Sequence, residues 1–419
     1  MTTLINIYSM NRLALTLGAL SSALCNTSLA NTTVSGSIGF EERYFFQSES
    51  SQTEQINQFL GRDTSSYQSS VTFDLEVNTE WNKGKDQLIF QPYIRLDEQD
   101  DERSHFDIRQ LLWTHLESNW ELSAGIGIVF WGVTESQHLV DIINQTDLVE
   151  NIDGEDKLGQ PMIRYSYFSD YGSVDAFLLP GFRTRTFSGA DSRLNGGFEV
   201  DNDNEIYESD AEQGHLDFAL RYSHTVGDWG IGLSWFSGTS READLLRFAD
   251  LSTGTTTPFY PQIDQFGADI QITTDAWLIK LEAIQRNHSD PFIEDFAATT
   301  VGAEYTFVGV FGTVYDIGAL AEYSWDERGE TATSIFQNDI FLGARLAFND
   351  INESTLLLGF SNDLDNTDSR TVFIEAATRI NASITSDIEL RYFESGSDDF
   401  LLVPFDDDSF IQLNFEYHF

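Results

Sequence analysis

The sequence predicts an all-β protein: a transmembrane antiparallel up-and-down β-barrel of about eighteen strands, with sixteen as the alternative count. Three observations support this fold class. Apolar and polar residues alternate over long stretches, short and long connections follow each other in turn, and the long connections are strongly acidic. Beyond the amino terminus no run of about 18 apolar residues occurs, which excludes a bundle of transmembrane helices.

The first thirty residues have the pattern of an export signal. Arg12 is their only charged residue, it precedes the apolar run LALTLGALSSAL, and Ser28 and Ala30 supply a small-x-small cleavage pattern. We therefore expect residues 1–30 to be a cleaved signal peptide and 31–419 to form the barrel. Cys25, the only cysteine, lies in the removed segment, so neither disulfides nor thiol chemistry is predicted for the exported chain.

The charge balance limits the classes of molecule that the protein can bind. The chain has 68 acidic against 23 basic residues and a net charge of -45 at pH 7. Binding to nucleic acid is excluded, because contacts to phosphates need a basic surface. A surface with this much negative charge is tolerated in saline solution, where ions screen the repulsion among the acidic residues over about 8–10 Å.

The strand pattern is clearest in residues 67–81, YQSSVTFDLEVNTEW. Val71, Phe73 and Leu75 share one face, and polar residues occupy the other. Alternation this long is typical of a tilted strand that crosses a bilayer. The same pattern predicts strands at 32–47, 66–82, 87–97, 104–117, 120–130, 161–169, 172–180, 214–226, 229–238, 262–274, 276–287, 295–308, 315–326, 337–349, 354–363, 369–381, 385–395 and 408–419.

The connections give independent support. The second, fourth, eighth, tenth and fourteenth strands are followed by NKGKD, ESN, GD, TTD and NDINE, which are turn sequences rich in Asn, Asp and Gly. Most other connections are longer and acidic, which predicts short periplasmic turns and long acidic outer loops. The soluble alternatives are a β-sandwich, whose strands would be shorter, and a propeller, whose repeat of about 40 residues is missing.

If the apolar face meets lipid, the other face lines a lumen whose wall carries both signs of charge. Two interpretations stay open: the wall charges hold strands together as cross-strand pairs, or they set up a field across the pore. An acidic mouth would concentrate cations. The predicted pore-lining residues are Arg95, Arg109, Arg221, Lys280, Glu282, Arg286, Glu304, Glu322, Arg345, Arg379 and Arg391.

The stretch 131–160 departs from the alternating pattern. Thr134 and Gln137 form a capping-box pattern, and Leu139, Ile142 and Ile143 follow at helical spacing, so a helix is predicted. Its apolar face must be buried, either inside the barrel or against the outer rim. In the first case Glu135, Asp141, Asp147 and Glu150 would lie at a constriction of the pore.

No motif for catalysis is present. The seven histidines lack metal-site spacing, and no nucleophile elbow, phosphate loop or dinucleotide fingerprint occurs. The acidic clusters at 97–102 and 201–205 could bind Ca²⁺, but neither has the full spacing of a calcium loop, so solvated charges are expected. The sequence thus predicts no enzyme, no cofactor and no metal.

The last ten residues, FIQLNFEYHF, alternate cleanly and end on an aromatic residue. With the cleavable amino terminus and the long alternating strands, they resemble Gram-negative outer-membrane β-barrel proteins, most of all the larger porin-like ones. The resemblance implies partners: outer-membrane lipid, lipopolysaccharide and the barrel-assembly machinery. It also implies an assembly signal at Phe415, Tyr417 and Phe419, with Ile411 and Leu413 before them.

Eighteen strands leave room for an aqueous channel, whereas about eight would be filled by side chains. The expected function is therefore an outer-membrane pore for small hydrophilic solutes, with a preference for cations. Two alternatives remain: a substrate-specific outer-membrane transporter, and a barrel enzyme or structural protein with a plugged lumen. The sequence leaves the oligomeric state open.

Overall fold

A computed structural model of the protein describes residues 31–46, 65–197, 199–250, 253–396 and 399–419. The predicted signal peptide, 1–30, lies outside the described residues. Among the residues described, no helix has the length and apolar character needed to cross a membrane.

The chain forms a closed β-barrel of eighteen antiparallel strands, as predicted. Each strand pairs with the next in sequence, and the first strand also pairs with the last, so no sheet edge remains open. The strands are β1 Asn31–Phe45, β2 Tyr67–Trp81, β3 Asp86–Asp97, β4 His105–Leu116, β5 Trp120–Gly127, β6 Gln160–Ser169, β7 Gly172–Pro180, β8 Leu216–Val226, β9 Trp229–Thr239, β10 Gln262–Thr274, β11 Trp277–His288, β12 Phe296–Phe307, β13 Asp316–Asp326, β14 Asn338–Ala347, β15 Thr355–Asp363, β16 Arg370–Asn381, β17 Ile384–Glu394 and β18 Phe410–His418.

The outside of the barrel is apolar. Ile38 and Phe40 of β1 and Phe415 and Tyr417 of β18 point outward and are exposed. In water, an apolar surface of this extent would drive aggregation, whereas lipid tails accommodate it. Trp229, Trp277 and Trp325 stand exposed at strand ends, where aromatic side chains suit the boundary between lipid and water.

The connections divide the barrel into two ends. At the short-turn end, which also holds Asn31, the first described residue, and the carboxy-terminal Phe419, turns such as 117–119, 227–228 and 382–383 join neighbouring strands. The turn after β2 has positive φ at Asn82 and Gly84, a conformation that these residue types adopt readily. At the long-loop end lie the longer connections, including 128–159, 181–215, 240–261 and 395–409. The predicted alternation of short and long connections is confirmed.

The seam of the barrel joins β1 to β18. Arg43 donates from Nε to Oε1 of Gln412 at 2.8 Å across it. Beyond the paired residues, Phe419 and Gly36 exchange two backbone hydrogen bonds of 3.0 and 3.1 Å. A side chain at position 36 would come within 2.9 Å of the Phe419 ring, so glycine lets that ring lie against the strand.

The loops of the long-loop end fold together over the barrel mouth. Two short parallel strand pairs link loop 181–215 to the segment around 253–260. Leu194 and Leu402, from different loops, pack against the inward aromatic rings of three strand ends. Arg193 also bonds Asp408 at 2.7 Å from Nε to Oδ1. The aromatic residues at this end of the wall are Phe45, Phe393 and Phe410.

Candidate functional site

Loop 128–159, which we name the crossing loop, lies inside the barrel. Its side chains Val140, Ile142 and Ile143 are buried, and they pack against inward-facing side chains of the wall between β6 and β12. These wall side chains form an apolar patch among charged ones, and the patch matches the apolar side of the loop. The wall residues of this cluster are Met162, Phe177, Leu179, Ala219, Phe236, Ile263, Ile284, Phe296 and Ala298.

The helix predicted for 131–160 is wrong, since the structure describes all of these residues and assigns none of them to a helix. The physical reason is that the wall carboxylate of Glu282 accepts the backbone N–H of Val140 at 3.2 Å, which a helix beginning at Thr134 would use internally. Glu282 Oε1 accepts hydrogen bonds from the backbone of Val133 (2.6 Å) and Thr134 (3.0 Å). Glu322 accepts two more from the backbone of Glu135 and Ser136 at 2.8–2.9 Å.

The first half of the loop is also tied through Glu135. Its carboxylate lies 2.6 Å from the guanidinium of Arg345 and 3.7 Å from the ammonium of Lys280. Four predicted pore-lining residues therefore meet here: Glu282, Glu322, Lys280 and Arg345. Their charges are used to hold the loop against the wall of β11–β14.

The second half of the loop is tied to the opposite wall by its own carboxylates. Glu150 lies 2.6 Å from Nη2 of Arg95 and 2.8 Å from the hydroxyl of Tyr93, and Asp147 lies 2.7 Å from Nη1 of Arg109. All five side chains are buried. Burial opposes ionisation of Glu150, but the neighbouring arginines outweigh it and hold its pKa below the ordinary value.

Behind these pairs lies a second layer of charge that the sequence analysis did not identify. Arg103 bonds Glu41 at 2.7 Å and Asp97 at 2.9 Å, and it donates to the backbone oxygens of Val149 and Glu150. Glu41 occupies an inward position of β1, so alternation could have revealed it. Arg103 belongs to a loop, where no such periodicity exists.

One group of three histidine and acidic side chains among the described residues has the spacing of a metal site, and it lies here. Ligand atoms of His105, Asp147 and Glu150 fall within 4.8 Å of one another, and the Nδ1 of His105 is 3.0 Å from a backbone oxygen. However, Arg95 and Arg109 already bind both carboxylates, and their charges would repel a cation. The group is better described as part of an ion-pair network than as a metal centre.

The loop has two further ties. Asp141 accepts from the backbone of Trp131 at 3.2 Å and lies 3.2 Å from the ammonium of Lys157. Burial raises the pKa of Asp141, and the nearby lysine only partly opposes this. Asp153 lies 3.0 Å from Arg391, which also contacts Glu375 and Glu389 on the wall.

The remaining predicted wall residues do not touch the crossing loop through ion pairs. Arg221 pairs with Asp269 at 2.8 Å, and Glu304 points inward beside Gly318. Arg379 lies at the short-turn end, 3.6 Å from the exposed Glu353. These residues face the lumen, yet the structure does not bring them together into one site.

Arg286 belongs to a separate cluster near the long-loop end. Its Nη1 lies 3.0 Å from Glu242, a residue of loop 240–261. Burial opposes ionisation of Glu242, but Arg286, Arg328 and Arg185 outweigh it and lower its pKa to about 2. Asp326 also binds Arg328 at 2.7 Å, so the three arginines of this cluster face two carboxylates.

Two cavities flank the crossing loop. The larger, of about 660 Å³, lies between the loop and the wall of β1–β3 and β17–β18; the smaller, of about 440 Å³, lies beside β8–β10. Burial together with the charges of Glu150 and Asp153 raises the pKa of Asp156, at the larger cavity, to about 7. Eight acidic and three basic residues line the larger cavity: Glu41, Asp74, Glu150, Glu155, Asp156, Asp387, Glu389 and Glu416 against Arg95, Arg109 and Lys157.

The barrel is closed, its exterior is apolar, and its lumen is polar and crossed by a loop. The fold is that of a porin-like β-barrel. Among solved structures, the chain is similar to the outer-membrane protein OmpT of Vibrio cholerae in its trimer form, with 11% identity over 94% of this chain and 100% of that one at a TM-score of 0.46. It is also similar to a mutant of the Rh. blastica porin, with 12% identity over 93% and 100% of the two chains at a TM-score of 0.43. Neither a protein-family model nor a curated protein matches the chain.

Proposed function

We propose that the protein is an outer-membrane pore for small hydrophilic solutes that prefers cations. The observation that supports this is the cavity of about 660 Å³, which is polar and carries more acidic than basic groups. A lumen lined by ionised groups stays hydrated, and an excess of carboxylates favours cations over anions inside it.

We propose that carboxylates of the lumen wall contribute to this preference, in addition to the acidic mouth expected from the sequence. The predicted constriction residues Glu135, Asp147 and Glu150 are each neutralised by wall cations. By contrast, Asp74 bonds the amide of Gln91 at 3.0 Å, and Asp387 bonds the amide of Asn414 at 2.7 Å. Because amides leave the negative charge in place, these wall carboxylates are the groups that we expect to select cations.

Planar-bilayer recordings of the purified protein in a KCl gradient test this function. We expect stepwise conductance with a reversal potential that shows cation preference, and a smaller preference in the double variant Asp74→Asn/Asp387→Asn. Asp203→Asn, in an exposed part of an outer loop, is the control and should leave the reversal potential unchanged. An anion-selective or silent wild-type protein would argue against the proposal.

A second candidate is a barrel whose lumen is closed, as expected for an enzyme or a structural protein. It is supported by the ion pairs that fix the crossing loop to two walls and by the loops packed at the barrel mouth. This candidate predicts no conductance in the wild type, and conductance after the loop is released by Asp147→Asn/Glu150→Gln. Liposome-swelling assays with a panel of sugars and amino acids would distinguish a general pore, which admits many solutes, from a substrate-specific transporter, which admits few.

We also propose that the carboxy-terminal strand guides assembly in the membrane. Phe415 and Tyr417 point outward, and Phe419 closes the seam against Gly36. Deletion of Phe419 should lower the amount of protein in the outer membrane more than it lowers the heat resistance of barrels that have formed. Unchanged membrane levels of the deletion variant would contradict this role.

A further inference from the structure

Two carboxylates lie opposite each other on the inner wall, close to the long-loop end. Asp339 of β14 and Asp363 of β15 are direct partners in the antiparallel register. They are only 3% and 4% exposed. Like charges in this position destabilise a strand pair, and burial makes the repulsion stronger.

No cationic side chain of the described residues compensates this pair by an ion pair. Arg328, beyond the end of the adjacent strand β13, is held by Asp326 at 2.7 Å. Asp399, in the last loop, adds more negative charge near Asp339. The other buried wall carboxylates described above are bound by arginines or by backbone N–H groups of the crossing loop, so this pair differs from them.

A third group provides independent evidence. Gln337, which is 7% exposed, donates from Nε2 to Oδ2 of Asp363 at 2.9 Å. Its amide oxygen is buried and has no hydrogen-bond partner. Since both amide atoms are bonded to the same carbon, Cδ, the unpartnered oxygen lies close to the nitrogen that contacts Asp363. Buried carbonyl oxygens almost always have a donor or a cation, so this one needs an explanation.

The position of Asp363 is fixed by the chain after it. Its Oδ1 accepts from the backbone of Asp365 at 2.7 Å and of Asn366 at 3.0 Å. The carboxylate is therefore held in place at the strand end and retains capacity for another contact. The resulting set of oxygens, two carboxylates and one amide, is the type of ligand that Ca²⁺ prefers.

We propose that Asp339, Asp363 and the amide oxygen of Gln337 bind one divalent cation, with Ca²⁺ as the expected ion. The cation neutralises the opposed carboxylates and supplies the missing partner of the amide. It joins β14 to β15 from inside the barrel. The site lies in neither of the acidic clusters, 97–102 and 201–205, that the sequence singled out.

Thermal unfolding of the detergent-refolded protein tests this proposal, with Ca²⁺ titrated after EDTA treatment. High NaCl suppresses general ion binding to the acidic surface. We expect a saturable rise of the midpoint in the wild type, and apparent Ca²⁺ affinity at least tenfold weaker in Asp339→Asn. Asp203→Asn is exposed and should titrate like the wild type. If Asp339→Asn does not refold, Gln337→Met, which keeps both carboxylates, should show the same loss.

Two outcomes would overturn the proposal. Equal Ca²⁺ titrations of the wild type, Asp339→Asn and Gln337→Met would place the ion elsewhere. An Asp339→Asn protein that is more stable than the wild type in EDTA, with a wild type insensitive to Ca²⁺, would show that the two carboxylates share a proton instead. Neither outcome depends on whether the barrel conducts ions, so the test is separate from that of the pore.

Discussion

The two halves of the crossing loop are attached to the barrel by opposite chemistry. In the first half, ionised wall groups, Glu282 and Glu322, accept hydrogen bonds from the loop backbone, and apolar side chains pack beside them. In the second half, the loop supplies the charges, and Glu150 and Asp147 bind wall arginines. The first attachment depends largely on backbone N–H groups, supplemented by the carboxylate of Glu135. The second depends on the identity of two side chains.

The largest effect is expected for Glu150→Gln. This change leaves Arg95 and Arg109 buried without their full counter-charge, which should lower the free energy of unfolding by about 3–5 kcal/mol. Urea unfolding followed by tryptophan fluorescence measures it. The matched control is Glu155→Gln, whose side chain is 53% exposed and pairs with His138. An equal loss in both variants would show that the buried arginine pairs of Glu150 are not the main attachment of the second half.

Glu282→Gln should have an intermediate effect. In the wild type, the backbone N–H of Val140 donates to Glu282 at 3.2 Å. The amide of the variant keeps one acceptor oxygen, but its NH₂ group faces this N–H. We expect a loss of about 1–3 kcal/mol in the same assay because one buried donor is left unsatisfied. Glu304→Gln, on the same inner wall but away from the loop, should change stability little. A larger loss for Glu304→Gln would contradict this assignment.

The ion selectivity of the proposed pore should depend on pH because Asp156 gains or loses its charge. Since its pKa is raised to about 7, the group is largely neutral at pH 6 and charged at pH 8. The cation preference of the pore should therefore increase as the pH rises through 7. Asp156→Asn should remove most of this dependence between pH 6 and 8, measured by reversal potentials. A wild-type reversal potential that is flat over this interval would exclude the role of Asp156.

The smallest effect is expected for Arg345→Gln. The Arg345 side chain is 51% exposed, and Lys280 remains near Glu135 after the change. Exposed ion pairs contribute about 0–1 kcal/mol, so the unfolding midpoint should shift only slightly. Lys280→Met, which removes the buried partner, should cost more. If Arg345→Gln lowers stability more than Lys280→Met does, Arg345 contributes more than Lys280 to holding the first half of the crossing loop.

Most of the fold could be predicted because its signal is local. Each strand pairs with its neighbour in sequence, and alternation such as that in 67–81 shows both its length and its two faces. The same signal found Arg95, Arg109, Glu282 and Glu322 as inward residues. It did not predict what they contact, because their partners lie in a loop far away in sequence.

The path of the crossing loop could not be predicted for the same reason. Helical spacing of Leu139, Ile142 and Ile143 describes only the loop itself, whereas the acceptor of the Val140 backbone N–H is Glu282, 142 positions further along. Glu322 is 187 positions from Glu135. Hydrogen bonds over such distances override a local preference for helix. Arg103, in a loop without periodicity, escaped notice for a related reason.

The seam between β1 and β18 has a consequence for the order of events in biogenesis. Arg43 and Gln412, which meet there, are 369 positions apart, whereas every other strand pair joins neighbours in sequence. All hairpins can therefore form early and locally, but the ring can close only when the final strand has arrived. Until then two strand edges must be shielded from other chains. The last step of folding is thus a single joining event, and a delay in it leaves an otherwise complete sheet exposed.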